Sequence, residues 1–222
     1  MFDLSLGDSD TYMPFIALVT FFFVRKNITG WQKRLLFIYL LSSIIIFALT
    51  NVLRFYAVPN LVLYHFYTLF ELILISYYII RTIFPVRRKI LYLVIAVSFS
   101  AFCLVDVLLW EPLNGTSFNS NTATLSDIIL LFLAMYYMYQ LTKTDAIMHF
   151  QKMPAFWFIT AFLVSCAMVI PLMLKYSYYA ANPHIQAGSK LWTIMDISYI
   201  LKFTFISISL LCYKKDQKSY SV

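Results

Sequence analysis

Long apolar runs, separated by charged residues, prolines and short polar stretches, set the pattern of this chain. In order they cover 11–24, 35–53, 61–80, 90–110, 125–141, 155–174 and 191–213. A helix rises about 1.5 Å per residue, and the hydrocarbon core of a bilayer is about 30 Å thick. Five of the runs match that length as helices, while the first and fifth are short for a crossing. The pattern predicts an all-α polytopic membrane protein: one domain over 1–222 with seven transmembrane helices. Six crossings, with the first helix lying in the interface, is the alternative.

Composition strengthens this reading. Hydrophobic residues make up 62% of the 222 and charged residues 12%, too little polarity to cover a soluble domain of this size. The net charge of +7 would point to nucleic acid in a soluble chain, but here its placement has a topological meaning. Thirteen basic residues fall in one set of connections: Arg25, Lys26, Lys33, Arg34, Arg81, Arg87, Arg88, Lys89, Lys143, Lys152, Lys214, Lys215 and Lys218. Only Arg54, Lys175 and Lys190 fall in the other. Positive residues stay inside, so the alternation predicts an N-terminus outside and a C-terminus in the cytoplasm. The acidic start (Asp3, Asp8, Asp10) lacks the basic region of a cleaved signal peptide. Cys103, Cys166 and Cys212 all lie in apolar runs and read as small buried hydrophobes. Asn114-Gly-Thr116 has the form of a glycosylation sequon but reads as a turn. The nine residues after Tyr213 are too few for a signalling domain, so any output is expected to pass through a partner or the membrane.

Two charges interrupt the apolar runs. Glu71 lies mid-way along 61–81 and Lys202 mid-way along 191–213, each roughly 15 Å from either helix end. A lone charge at that depth costs at least about 2.5 to 3.5 kcal/mol. Pairing Glu71 with Lys202 between the third and seventh helices relieves both. Under the orientation above, Asn51, Arg54, Tyr64, His65, Asp106, Asp127 and Asp196 lie between this level and the outer surface. Tyr64, Thr68, Glu71 and Tyr78 share one stripe of the third helix, and Ser198, Lys202 and Ser209 one face of the seventh. The halves below are almost purely apolar and aromatic. This asymmetry predicts an outward-facing polar cavity lined by Glu71, Lys202, Tyr64, His65, Thr68, Asp106, Asp196, Ser198, Asn51 and Arg54. The plainer alternative is a set of interhelical polar staples.

Other chemistry is sparse. His65 is off the Glu71 stripe and reads as a packing residue. His149 and His184 are expected on opposite sides of the membrane, so no three-histidine metal site is expected. HExxH, GxSxG, nucleotide-loop and CxxC patterns are missing from the sequence. An acid pair drawn from Asp106, Asp127 and Asp196 would be needed for an intramembrane enzyme, and helix-end hydrogen bonding is the simpler use of them. Trp31, Trp110, Trp157 and Trp192 at helix ends form an interfacial belt. Pro171 marks either a kink in the sixth helix or its last turn.

Three stretches carry a resemblance: Asn60-Leu-Val-Leu-Tyr-His-Phe-Tyr-Thr-Leu-Phe-Glu71, Met153-Pro-Ala-Phe-Trp-Phe-Ile-Thr160 and Ile197-Ser-Tyr-Ile-Leu-Lys202. They resemble seven-helix membrane proteins and sensor regions of Bacteroidota, which often precede a histidine-kinase region. That likeness implies a multi-pass protein of the bacterial inner membrane. Ser198-x-x-x-Lys202 with Glu71 also resembles the heliorhodopsin branch of microbial rhodopsins, which would imply retinal on Lys202. A three-plus-one-plus-three repeat is similar to small sugar transporters, without their Pro-Gln pair.

The expectation is a receptor- or sensor-like module that binds a small ligand or proton and acts through a partner protein. It is expected to have no cofactor, no metal and no nucleic-acid partner. The alternatives are a small-solute or proton transporter or channel, a retinal-binding protein, or an intramembrane enzyme.

Overall fold

The computed structural model describes residues 6–28, 30–56, 58, 60–84, 88–111, 119–143, 145–181 and 187–215. Asn114–Thr116, His184, Arg87, Lys218 and the last residues of the chain lie outside them. The described residues form α1 (Leu6–Val24), α2 (Gly30–Phe55), α3 (Leu61–Ile83), α4 (Arg88–Leu109), α5 (Ser120–Leu141), α6 (Pro154–Ala181) and α7 (Ala187–Lys215). A 3₁₀ segment, Asp145–Lys152, precedes α6. Helices are the expected solution for such runs, because they satisfy their backbone N–H and C=O groups internally where no water is available.

Local chemistry sets several boundaries. Gly30 opens α2 at φ 54°, a left-handed backbone that glycine adopts without a Cβ clash. Pro154 opens α6, where its missing N–H has no partner to lose. Pro171 lies inside α6, which continues to Ala181, so it does not mark the last turn. Helices α6 and α7 run past the ends of their apolar runs through Lys175 and Lys190, because a helix leaving hydrocarbon no longer needs apolar side chains. Helix α5 begins five residues before its apolar run, in Ser120-Asn-Thr.

The helices form a ring. Helix α1 packs between α2 and α7, α3 against α2, α4 and α5, and α6 between α5 and α7. Helix α4 rides outside the α3–α5 contact, and its Ile90, Val97, Leu104 and Leu108 are exposed. Six helices are long and apolar enough to cross a membrane, while the apolar part of α1, Tyr12–Val24, is shorter. Exposed apolar side chains on the outer faces of α1, α2 and α4 complete a surface suited to lipid. The chain is a helical multi-pass membrane protein.

The core is aromatic. Tyr39, Tyr78, Phe158, Phe162 and Phe203 are fully buried, together with Leu72, Ile75, Ile79 and Ile206. Only four glycines are present, and large rings fill much of the space between helices.

Candidate functional site

Glu71 on α3 and Lys202 on α7 meet across the bundle, Nζ to Oε1 at 2.9 Å, with side chains 16% and 5% exposed. The same carboxylate oxygen accepts the Tyr39 hydroxyl at 2.9 Å and the Tyr67 hydroxyl at 3.4 Å. Tyr67 and Ser43 share a hydrogen bond of 3.0 Å, and the Ser43 hydroxyl donates to the carbonyl of Tyr39 at 2.9 Å. One oxygen thus ties α2, α3 and α7 together. Charge-assisted bonds of this kind are the strong ones in a low-dielectric interior. The Lys202 ammonium also lies over the rings of Tyr199 at 4.7 Å, Phe162 at 5.4 Å and Phe203 at 5.8 Å. Those π-faces stabilise a desolvated cation.

Above the pair lies a cavity of about 240 Å³. Its walls come from the ends of the bundle where α3, α5 and α7 begin and α2 and α6 finish. Tyr64, Tyr67, Thr68, Ser126, Asp127, Ser165, Asp196 and Tyr199 supply polar wall, and Phe47, Leu61, Val169, Met173 and Met195 the apolar part. Asn119, just before α5, donates from Nδ2 to the Thr68 hydroxyl at 2.6 Å and to the Tyr64 carbonyl at 3.1 Å. That contact fixes the start of α5 on α3. Ser165 and Ser198 join α6 to α7 at 2.9 Å. Beneath the pair, Leu72, Ile75, Phe158, Phe162 and Phe203 are fully buried.

The residues singled out from the sequence divide into two groups. Tyr64, Thr68, Glu71, Asp196 and Lys202 line the cavity. The other five do not. Ser198 is fully buried behind the wall on Ser165. His65 is buried in α3 away from the cavity. Asn51 and Arg54 are exposed on α2. Asp106 faces α5, where Asn121 Nδ2 donates to its Oδ1 at 3.0 Å.

The main residue that the sequence reading missed is Asp127. It reads as a helix-end residue only if α5 begins at Leu125. With α5 starting at Ser120, Asp127 lies two turns inside, in the cavity wall, and its Oδ1 accepts from the Cys166 thiol at 3.5 Å. The polar run Asn119-Ser-Asn-Thr, typical of a helix start, was the available signal. Tyr39 and Tyr67 carried no such signal.

A second acidic group closes the α4–α5 corner. Glu111 accepts the Ser120 hydroxyl at 2.5 Å and the Asn121 backbone N–H at 3.2 Å. Burial raises its carboxyl to about 7, against the pull of the Ser120 and Asn121 bonds, and Asp106 beside it adds to the rise. The folded state therefore holds a proton that the unfolded chain releases at lower pH. Its stabilising contribution is complete in acid and is lost as pH rises towards about 7. Melting followed from pH 5 to 8 in detergent should show this loss, at most about 1.4 kcal/mol per pH unit for one proton. Glu111→Gln, which keeps an acceptor and removes the titration, should flatten the curve. An unchanged slope would exclude Glu111 as its source.

Comparison with protein-family models, with curated proteins and with solved structures finds no match to this chain.

Proposed function

We propose that this protein is a receptor-like module of a bacterial inner membrane. In this reading seven helices cross, the N-terminus is outside, and the cavity opens outward. The basic-residue asymmetry supports the orientation. The packing of Ala17, Phe21 and Val24 of α1 into the core supports α1 as a seventh crossing rather than an interfacial helix. A small external ligand enters the cavity and alters the Glu71–Lys202 pair. Helices α2, α3 and α7, which share that pair, then shift against one another and bias a partner protein. The observation that carries the reading is a ligand-sized cavity ending on a bonded ion pair, with a fully buried apolar layer beyond it. A binding module needs a floor of that kind, whereas a conduit needs a polar path through it.

One observation favours a transporter instead. Below the pair, Tyr78 lies near Tyr137 and Tyr213, and the Tyr137 hydroxyl is buried without a hydrogen-bond partner among the described residues. A buried polar group of this kind is where an internal water would bind, and a proton path through the floor requires such waters.

Liposomes holding an entrapped pH dye separate the two readings. Under an imposed proton gradient and membrane potential, the receptor reading expects the trace of protein-free vesicles. Protein-dependent proton or cation entry that Glu71→Gln abolishes would make this a transporter.

A further inference from the structure

The charge balance of the cavity wall points to its ligand. Among the described lining residues, the carboxylates of Glu71 and Asp127 share one base, Lys202. That base is committed to Glu71 at 2.9 Å, lies over three aromatic rings, and is only 5% exposed. Its charge is already balanced by Glu71, so it offers an anion little. Asp127 is in the opposite position. It faces the cavity, and its one described hydrogen bond comes from a thiol at 3.5 Å, a weak donor. A carboxylate held away from bulk water, with only a share of the lysine that already balances Glu71, is unfavourable, and a second cation beside it reduces that cost.

The rest of the wall specifies an organic cation over a metal ion. Tyr64, Tyr67, Tyr199 and Phe47 present aromatic rings, and Met173 and Met195 present apolar sulfur-containing chains. Rings of this kind attract ammonium groups as well as carbon. No group of three or more His, Cys, Asp or Glu placed to hold a metal ion occurs among the described residues. A dry cavity of about 150 Å³ holds benzene. The 240 Å³ here therefore fits a ring bearing a short side chain.

We propose that the cavity selects a small organic ammonium ion, with Asp127 as its counter-charge and the tyrosine rings around its carbon part. The proposal rests on the receptor reading of this cavity, since it requires the cavity to be reachable from one side. It adds that the sign of the ligand's charge is fixed by the wall.

The test uses a cysteine in the cavity and two thiol reagents of opposite charge. Ala123 lines the wall one turn before Asp127, so Ala123→Cys presents its thiol to whatever enters. The reagents are 2-aminoethyl methanethiosulfonate, a cation, and 2-sulfonatoethyl methanethiosulfonate, an anion. Each rate is divided by the reagent's rate with a free thiol, after subtraction of the parent protein carrying Cys103, Cys166 and Cys212. Met195→Cys serves as a second site if Ala123→Cys does not elute as a folded species. The expected result is a corrected rate about tenfold or more higher for the cation. Asp127→Asn in the same background should bring the ratio most of the way to one. Phenethylammonium should protect the cysteine, and phenylacetate should not. Equal rates, faster reaction with the anion, or protection by phenylacetate would overturn the proposal while leaving a reachable cavity. If neither reagent reaches either cysteine, the receptor reading falls, and this proposal falls with it.

Discussion

Glu71→Gln and Lys202→Met should each lower stability in detergent, by about 3 to 5 kcal/mol, whereas the double mutant should lie close to the parent. The cost comes from the partner left behind more than from the bond removed. In Glu71→Gln the ammonium keeps its aromatic neighbours at 4.7 to 5.8 Å and an amide oxygen, but it loses the carboxylate charge that balanced it. In Lys202→Met the carboxylate keeps the Tyr39 and Tyr67 hydroxyls as donors, at 2.9 and 3.4 Å. A carboxylate can also take up a proton and become neutral. Glu71→Gln should therefore be the more damaging single change, and Lys202→Met should lie at the low end of the range. The double mutant removes both charges and leaves a neutral amide that still accepts from Tyr39. Equilibrium unfolding of the four proteins gives the coupling directly, as the departure of the double mutant from additivity. Additive costs would mean that the pair does not organise the bundle, and a signal routed through it would lose its basis.

The helices were legible in the sequence because charged residues and prolines end nearly every apolar run. What composition could not mark was the continuation of α6 and α7 beyond the membrane, where Lys175 and Lys190 cost a helix nothing. The floor of the site was legible for a similar reason: Glu71 and Lys202 are conspicuous in apolar surroundings. Their supporting hydroxyls were not, because Tyr39 and Tyr67 are two of 17 tyrosines and differ from the others only in what they face. Depth was readable from position along a run, but the face of a helix was not. Asn51 lies at a suitable depth, yet it is 12 residues from Tyr39, about a third of a turn away from the face that meets α3. Asp106 likewise has the right depth, but α4 rides outside the α3–α5 contact, and its carboxylate meets Asn121 instead of the cavity. Asp127 was misplaced by a five-residue error at the start of α5, enough to move a wall residue to the rim.

Phe158→Ala should cost roughly 2 to 3 kcal/mol and still leave the bundle closed. Phe158 is fully buried beneath the ion pair, with ring centroids 4.3 Å from Tyr78, 5.3 Å from Phe162 and 6.3 Å from Tyr39. In a soluble protein such a truncation loses both a transfer term and a cavity term. Here the reference state leaves the side chain among lipid, so the transfer term largely cancels and packing remains. A void of about 100 Å³ at about 24 cal/mol per Å³ gives the stated cost. Phe158→Leu, which keeps most of the volume, should cost less than about 1.5 kcal/mol. The new void would be lined by aromatic faces and aliphatic carbon, and apolar cavities of that size stay dry. Liposomes carrying Phe158→Ala should therefore remain as proton-tight as those with the parent protein, even though the protein melts earlier. A proton leak in this variant would mean that the layer seals by tight fit alone, and that the Tyr137 hydroxyl below it is part of a path. No loss of stability would mean that Phe158 does not pack the floor. A less stable but tight variant is the outcome that a ligand-binding cavity with a dry floor requires.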